Sequence, residues 1–161
     1  MRFMVGVFLT LATAGFSANG QDISQTTPCD VTPPNEKNNP AQPSAGWYGN
    51  ESLSVALAWP NGTVVFKPGG AGSVLPDGSL SMKFGWERRV RGSLVIDGRR
   101  LDSAAPPLRA NVPCCYGDIG FQATALVFPT PGCWEVTGHV GTRNLTFVTK
   151  VVQIGDGPGI R

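Results

Sequence analysis

Four cysteines and one histidine are the residue types here that could hold a metal or supply a nucleophile. Cys29, Cys114, Cys115, Cys133 and His139 include the ligand types of a tetrahedral structural zinc site. Cys114 and Cys115 are adjacent, however, and lack the two-residue spacer that lets both sulfurs reach one ion comfortably. A thiol nucleophile with His139 as base would need a third group to orient the imidazole, and no residue marks one. Neither a metal nor any other cofactor is therefore expected. The segment Lys67-Pro68-Gly69-Gly70-Ala71-Gly72-Ser73 is glycine-rich but lacks the lysine and the following helix that a phosphate loop requires. Glu87, Asp97, Asp102 and Asp118 could supply a pair of carboxylates for glycoside hydrolysis. Most of them sit at turns, as Asp97-Gly98 does, where such residues serve the backbone.

Arginine gives a more concentrated signal. Arg88, Arg89, Arg91, Arg99, Arg100 and Arg109 are six of the thirteen basic residues and fall within 22 positions. If strands around Val90 and Leu94 paired as a hairpin, several guanidinium forks would gather on one edge. They would then suit a carboxylate or phosphate partner, such as an anionic polymer or an acidic protein. The competing and favoured reading is edge protection, with local pairs to Glu87, Asp97 and Asp102. Among the aromatic residues, Trp59, Trp86 and Trp134 are in phase with apolar faces. Trp47, Tyr48 and Tyr116 are left as candidate exposed rings, few for a sugar-binding platform. The candidate ligand surface is thus Arg88, Arg89, Arg91, Arg99 and Arg100 with Trp47 and Tyr48.

The elements that must position these residues are strands. Charged residues make up only 15% of the chain, the formal net charge is +2, and 41% of residues are hydrophobic. That balance argues against a nucleic-acid module, which concentrates basic charge, and against a highly charged disordered chain. With 21 glycines and 14 prolines, turns are many and long helices few. Leu53, Val55, Leu57 and Trp59 alternate with small residues, Pro60-Asn61-Gly62 reads as a hairpin turn, and Val64 and Phe66 continue inward. Residues 68–78 read as a flexible loop. Leu80, Met82, Phe84 and Trp86 share a face, and Leu94 and Ile96 mark another strand. Residues 104–113 look irregular. Phe121, Ala123, Ala125 and Val127 alternate along a strand that Pro129 stops, and Trp134, Val136 and Val140 form the next. The last strand runs from Leu145 to Val152. Seven or eight short antiparallel strands with turns between them describe an all-β sandwich or a small barrel, and the sandwich suits this size better.

The flanks differ from this body. Arg2 precedes an apolar run from Phe3 to Phe16, too short to span a bilayer and suited to a signal-peptide core. Ala18-Asn19-Gly20 offers small residues before a cut at Gln21, and no stable membrane span is expected after its removal. Residues 21–46 carry Pro28, Pro33, Pro34, Pro40 and Pro43 among polar residues, which excludes helix and central strand and describes an extended arm. The organisation expected is a signal peptide (1–20), a proline-rich arm (21–46), the sandwich (47–154) and a flexible tail (155–161). The mature chain would be secreted or periplasmic.

Phe128-Pro129-Thr130-Pro131-Gly132-Cys133-Trp134-Glu135-Val136 is similar to the turn that enters the penultimate strand of immunoglobulin-like domains. There an aromatic residue pins the corner and a buried residue follows two positions on. Trp134 would take the first place and Val136 the second, with an indole N–H instead of the usual phenolic hydroxyl. Over residues 47–152 the segments WYGNESLSVAL, WPNGTVVFKPGG, GSLSMKFGWERRVRGSLVIDGRRLD, APPLRA and GFQATALVFPTPGCWEVTG together resemble a family of secreted or lipid-anchored bacterial proteins of undefined activity. The resemblance implies a cell-envelope setting and an immunoglobulin-like β-sandwich, and it carries over no activity.

Four cysteines allow three pairings. Cys133 lies at a strand entrance on the face opposite Trp134, where the arm that carries Cys29 could reach it. The resemblance implies the same Cys29–Cys133 pair, since relatives keep partners for these two and lack the adjacent cysteines. Cys114 and Cys115 would stay as thiols or form a vicinal bridge. The function expected is a non-enzymatic binding or structural module at the envelope, its partner an unidentified protein or an anionic envelope polymer. A carbohydrate-binding module is the alternative, and a secreted hydrolase a weaker one.

Overall fold

The computed structural model describes residues 28–35, 46–57 and 62–159. The signal-peptide region, the proposed cut, Trp59 and Pro60-Asn61 lie outside the described residues. Within them there is no α-helix, and the regular structure is β-strand. The strands are β1 (Trp47–Gly49), β2 (Leu53–Ala56), β3 (Thr63–Phe66), β4 (Ser73–Val74), β5 (Leu80–Arg88), β6 (Leu94–Arg100), β7 (Arg109–Asn111), β8 (Gly120–Phe128), β9 (Gly132–Val140) and β10 (Arg143–Gln153). One sheet has the order β1-β2-β5-β8-β7, with β4 also on β5, and the other has the order β3-β10-β9-β6.

Period-two alternation builds the interface between the two sheets. Leu80, Met82, Phe84 and Trp86 of β5 are buried, as are Trp134, Val136 and Val140 of β9 and Leu145, Phe147 and Val151 of β10. The Phe147 ring lies 6.0 Å from those of both Phe84 and Trp86, and Phe128 meets Trp134 edge-on at 5.7 Å. These contacts join one sheet to the other. Trp86 packs so closely over Gly138 that a Cβ there would lie 2.5 Å from its ring. Only glycine fits this point of β9.

Several sequence expectations are corrected by the pairing. The pairs are not all antiparallel: β3 runs parallel to β10, with Thr63 opposite Lys150 and Phe66 opposite Gln153. Nor is there a hairpin across residues 57–63, because β2 belongs to one sheet and β3 to the other. The chain changes sheets there, and both Leu57 and Val64 stay buried. The stretches read as a loop and as irregular contain the short strands β4 and β7, which the proline- and glycine-rich composition concealed. In β8 the buried set is Gln122, Thr124, Leu126 and Phe128, one register step from the alternating set Phe121, Ala123, Ala125 and Val127. The polar pair in that set is satisfied. Gln122 donates from Nε2 to the Pro113 carbonyl at 2.9 Å, and the Thr124 hydroxyl donates to the Phe84 carbonyl at 3.2 Å. The terminal segment also packs on the body, with Gly157 and Pro158 buried.

The arm is tied down at three places. Cys29 is bonded to Cys133, 104 positions away, with their Cα atoms 5.5 Å apart. Thr32 exchanges two hydrogen bonds with Val148, donating from its backbone N–H and accepting at Oγ1, each 2.9 Å. Asn35 uses its side chain as a strand would: Nδ2 donates to the Gly49 carbonyl, and Oδ1 accepts from the Gly49 N–H. The arm and β3 therefore share one edge of β10, shielding backbone groups that would otherwise be open to a second chain.

Candidate functional site: the loop end of the two sheets

Strand register gathers four connections at one end. Leu53 and Gly120 both lie opposite Arg88, while Leu94 and Arg143 both lie opposite Val140. The turns 50–52, 89–93 and 141–142 and the eight-residue loop 112–119 therefore project together. Hydrogen bonds cross-link them, among them those from Asn50 Nδ2 to the Asn144 carbonyl at 2.8 Å, from Arg89 N–H to the Ser52 carbonyl at 2.9 Å and from Gly92 N–H to the Asp118 carbonyl at 2.8 Å.

Arg88 organises this end from within. It was expected on an exposed edge, yet it is 2% exposed. The reason is phase: Arg88 continues the inward series of Leu80, Met82, Phe84 and Trp86. Its Nη1 donates to the Gly92 carbonyl at 2.8 Å, and its Nη2 donates to the Gly117 carbonyl at 3.0 Å and the Tyr116 carbonyl at 3.3 Å. One guanidinium thus fastens the 89–93 turn to the 112–119 loop. Its Nε has no hydrogen-bond partner among the described residues.

The other arginines are occupied at separate places. Arg89 donates to the Asn50 carbonyl and to Ser54 Oγ, and Arg91 Nη1 reaches both carboxylate oxygens of Asp118 at 2.9 and 3.1 Å. The Asp118 carboxyl is held below its ordinary pKa, chiefly by the Arg91 hydrogen bond. Arg99 pairs with Glu135, Arg100 with Asp102, and Arg109 with Asp77. β5 and β6 lie in different sheets, so the hairpin that would have gathered these guanidiniums does not exist. Arg99 and Arg100 are at the far end of β6 from Leu94, about 20 Å away at the rise of a β-strand. Arg91, Arg99, Arg100 and Arg109 thus form ion pairs within the chain, of which Arg100–Asp102 involves an expected acid, while Arg88 and Arg89 donate to backbone carbonyls.

The remaining candidates scatter. Trp47 is 1% exposed, with its carbonyl accepting from the Asn35 N–H, and Tyr48 packs against the core, so neither is an open ring. His139 lies on the outer face of β9, with Nε2 2.8 Å from Asp97 Oδ2. Cys29 and Cys133 are consumed in their disulfide, and the four cysteines do not converge on His139. Asp97, Asp102 and Asp118 each engage a different basic side chain, His139, Arg100 and Arg91 respectively. Lys67–Ser73 leads into β4 and not into a helix.

In the sequence Cys114, Cys115, Tyr116 and Asp118 are named one by one, but not Ile119, nor the 112–119 loop as a single projection. It carries Tyr116 and Ile119, two of the four large hydrophobic residues exposed among the described residues. The Tyr116 ring lies edge-on to Phe121 at 6.4 Å. Beside them Cys114 and Cys115 are exposed thiols with sulfurs 2.6 Å apart, and their shared hydrogen bond pushes the Cys115 thiol pKa up. A cleft of about 310 Å³ runs between this loop, Ser93, Leu94 and the buried Arg88. No protein-family model, curated protein or solved structure matches the chain.

Proposed function

We propose that the chain is a secreted or periplasmic, non-enzymatic immunoglobulin-like module that binds a protein partner at the cell envelope through its loop end. The observation that carries this reading is the 112–119 loop, a projection hydrogen-bonded to Arg88 and Gln122 with Tyr116 and Ile119 exposed at its surface. Exposed apolar and aromatic side chains on a braced loop suit protein recognition. The internal pairing of the arginines leaves less support for an anionic polymer as partner, and the burial of Trp47 leaves less for a sugar platform.

Strand order supports the immunoglobulin-like reading. β2, β5, β8 and β7 follow one another as strands A, B, E and D do, and β10, β9 and β6 follow one another as G, F and C do. Trp134 lies at the corresponding corner and donates from Nε1 to the Thr130 carbonyl at 3.0 Å, four residues upstream. In variable domains of this fold, loops at one end of the sandwich form the binding surface. The disulfide tether of the arm supports an oxidising compartment. The test is binding of the mature chain to envelope fractions, compared with a Tyr116→Ser/Ile119→Ser variant. Loss of binding in the variant, with its melting curve unchanged, is expected. Equal binding by both proteins would overturn the assignment of the face.

A further inference from the structure

We propose that Cys114 and Cys115 are a thiol–disulfide exchange site, a vicinal dithiol that closes reversibly to an intraloop disulfide by reaction with small-molecule or protein disulfides. Adjacent cysteines in an unconstrained chain seldom bring their sulfurs together, because disulfide geometry is demanding. Here the approach is already made: the two sulfurs are 2.6 Å apart and both side chains are exposed to a reagent. Cys115 has φ +75°, the one non-glycine residue with positive φ among the described residues. The loop is braced on both sides of the pair. Before it, the Pro113 carbonyl accepts from Gln122, and after it the Tyr116 and Gly117 carbonyls accept from the buried Arg88. The sheet thus presents the dithiol in a fixed conformation.

The exchange balances without any further reagent. One cysteine, as thiolate, attacks a sulfur of R–S–S–R, forming a mixed disulfide and expelling RS⁻. The second cysteine then attacks the first cysteine's sulfur, expelling the other RS⁻ and closing the Cys114–Cys115 bond. The dithiol loses two electrons, the external disulfide gains them, and the two thiol protons pass to the released thiolates. A disulfide between neighbouring, exposed residues belongs to the labile class that exchanges readily. The Cys29–Cys133 bond differs in access, because Cys133 is 2% exposed. One chain would therefore carry a structural disulfide and an exchangeable one.

The experiment equilibrates the purified folded protein in buffers of varied reduced-to-oxidised glutathione ratio, followed by acid quench, alkylation and peptide mass analysis. The expected result is a reversible conversion of the Cys114–Cys115 peptide to a form lighter by two hydrogens, in monomeric protein, with Cys29–Cys133 unchanged throughout. In the urea-unfolded chain the same conversion should need about tenfold more oxidised glutathione, because the effective concentration set by the brace is lost. Cys114→Ser should stop at a glutathione adduct on Cys115. The proposal is overturned if both thiols stay alkylatable at every ratio, or if a mixed disulfide or an intermolecular crosslink is the end product. It is equally overturned if folded and unfolded chains close alike.

Discussion

The Arg88 guanidinium donates to the Gly117 carbonyl at 3.0 Å across 29 positions of sequence, from a side chain that is 2% exposed. This contact turns a core position into the anchor of a surface loop. Arg88→Met would leave three backbone carbonyls without their donor and should cost about 3 kcal/mol. Arg91→Ser removes only an exposed pair with Asp118 and should cost less than about 1 kcal/mol. Urea melts of the two variants check the order, and equal costs would show that the buried contacts contribute little.

Alternation along β5 made Leu80, Met82, Phe84 and Trp86 legible as core, and the same arithmetic extends to Arg88. Charge outweighed phase in the sequence reading, since arginine is rarely buried without a partner and its partners are backbone carbonyls of distant loops. No residue type announces a carbonyl that accepts a hydrogen bond. The Cys29–Cys133 pairing was legible because an arm poor in apolar residues needs a tether and Cys133 faces away from the core side of β9. The β3–β10 parallel pair was not, because Pro60-Asn61-Gly62 has the local chemistry of a hairpin and sheet membership is decided by distant contacts.

Near the start of β9, Trp134 is fully buried and its indole N–H is satisfied by the carbonyl of Thr130 in the preceding corner. Trp134→Ala should cost roughly 3–5 kcal/mol through lost burial and the cavity left behind. Trp134→Phe keeps much of the packing and loses the donor, at a cost of about 1–3 kcal/mol. Thermal or urea denaturation of the pair separates the two contributions.

Removing the tether should loosen the arm before it loosens the sheets. Cys29→Ser is expected to lower stability by about 2–5 kcal/mol, the range seen for disulfides that close long loops. Limited proteolysis should then cut within residues 28–35 while β5, β8, β9 and β10 stay protected. Simultaneous digestion of arm and sheets would show that the disulfide supports the whole fold directly.

Acid should weaken the protein through its paired carboxylates. Hydrogen bonds from Ser79, through its hydroxyl and its backbone N–H, and then from Arg109 lower the Asp77 pKa from 3.8 to about 2. Asp102 and Asp118 are lowered chiefly by hydrogen bonds from Arg100 and Arg91. A group whose pKa is depressed by folding stabilises above its unfolded pKa, and that contribution is lost as pH falls through the folded value. Urea midpoints should therefore decline between about pH 4 and pH 2, with little change from these groups above about pH 5. Asp77→Asn should flatten part of that decline.

Site-specific photo-crosslinking most directly tests whether the loop end is the binding face. A photoreactive side chain would replace Tyr116 in one protein and Arg99, at the far end of β6, in another, each exposed to intact envelope fractions. A discrete protein adduct from position 116 and none from position 99 is the predicted result. Adducts from position 99 alone would contradict the account.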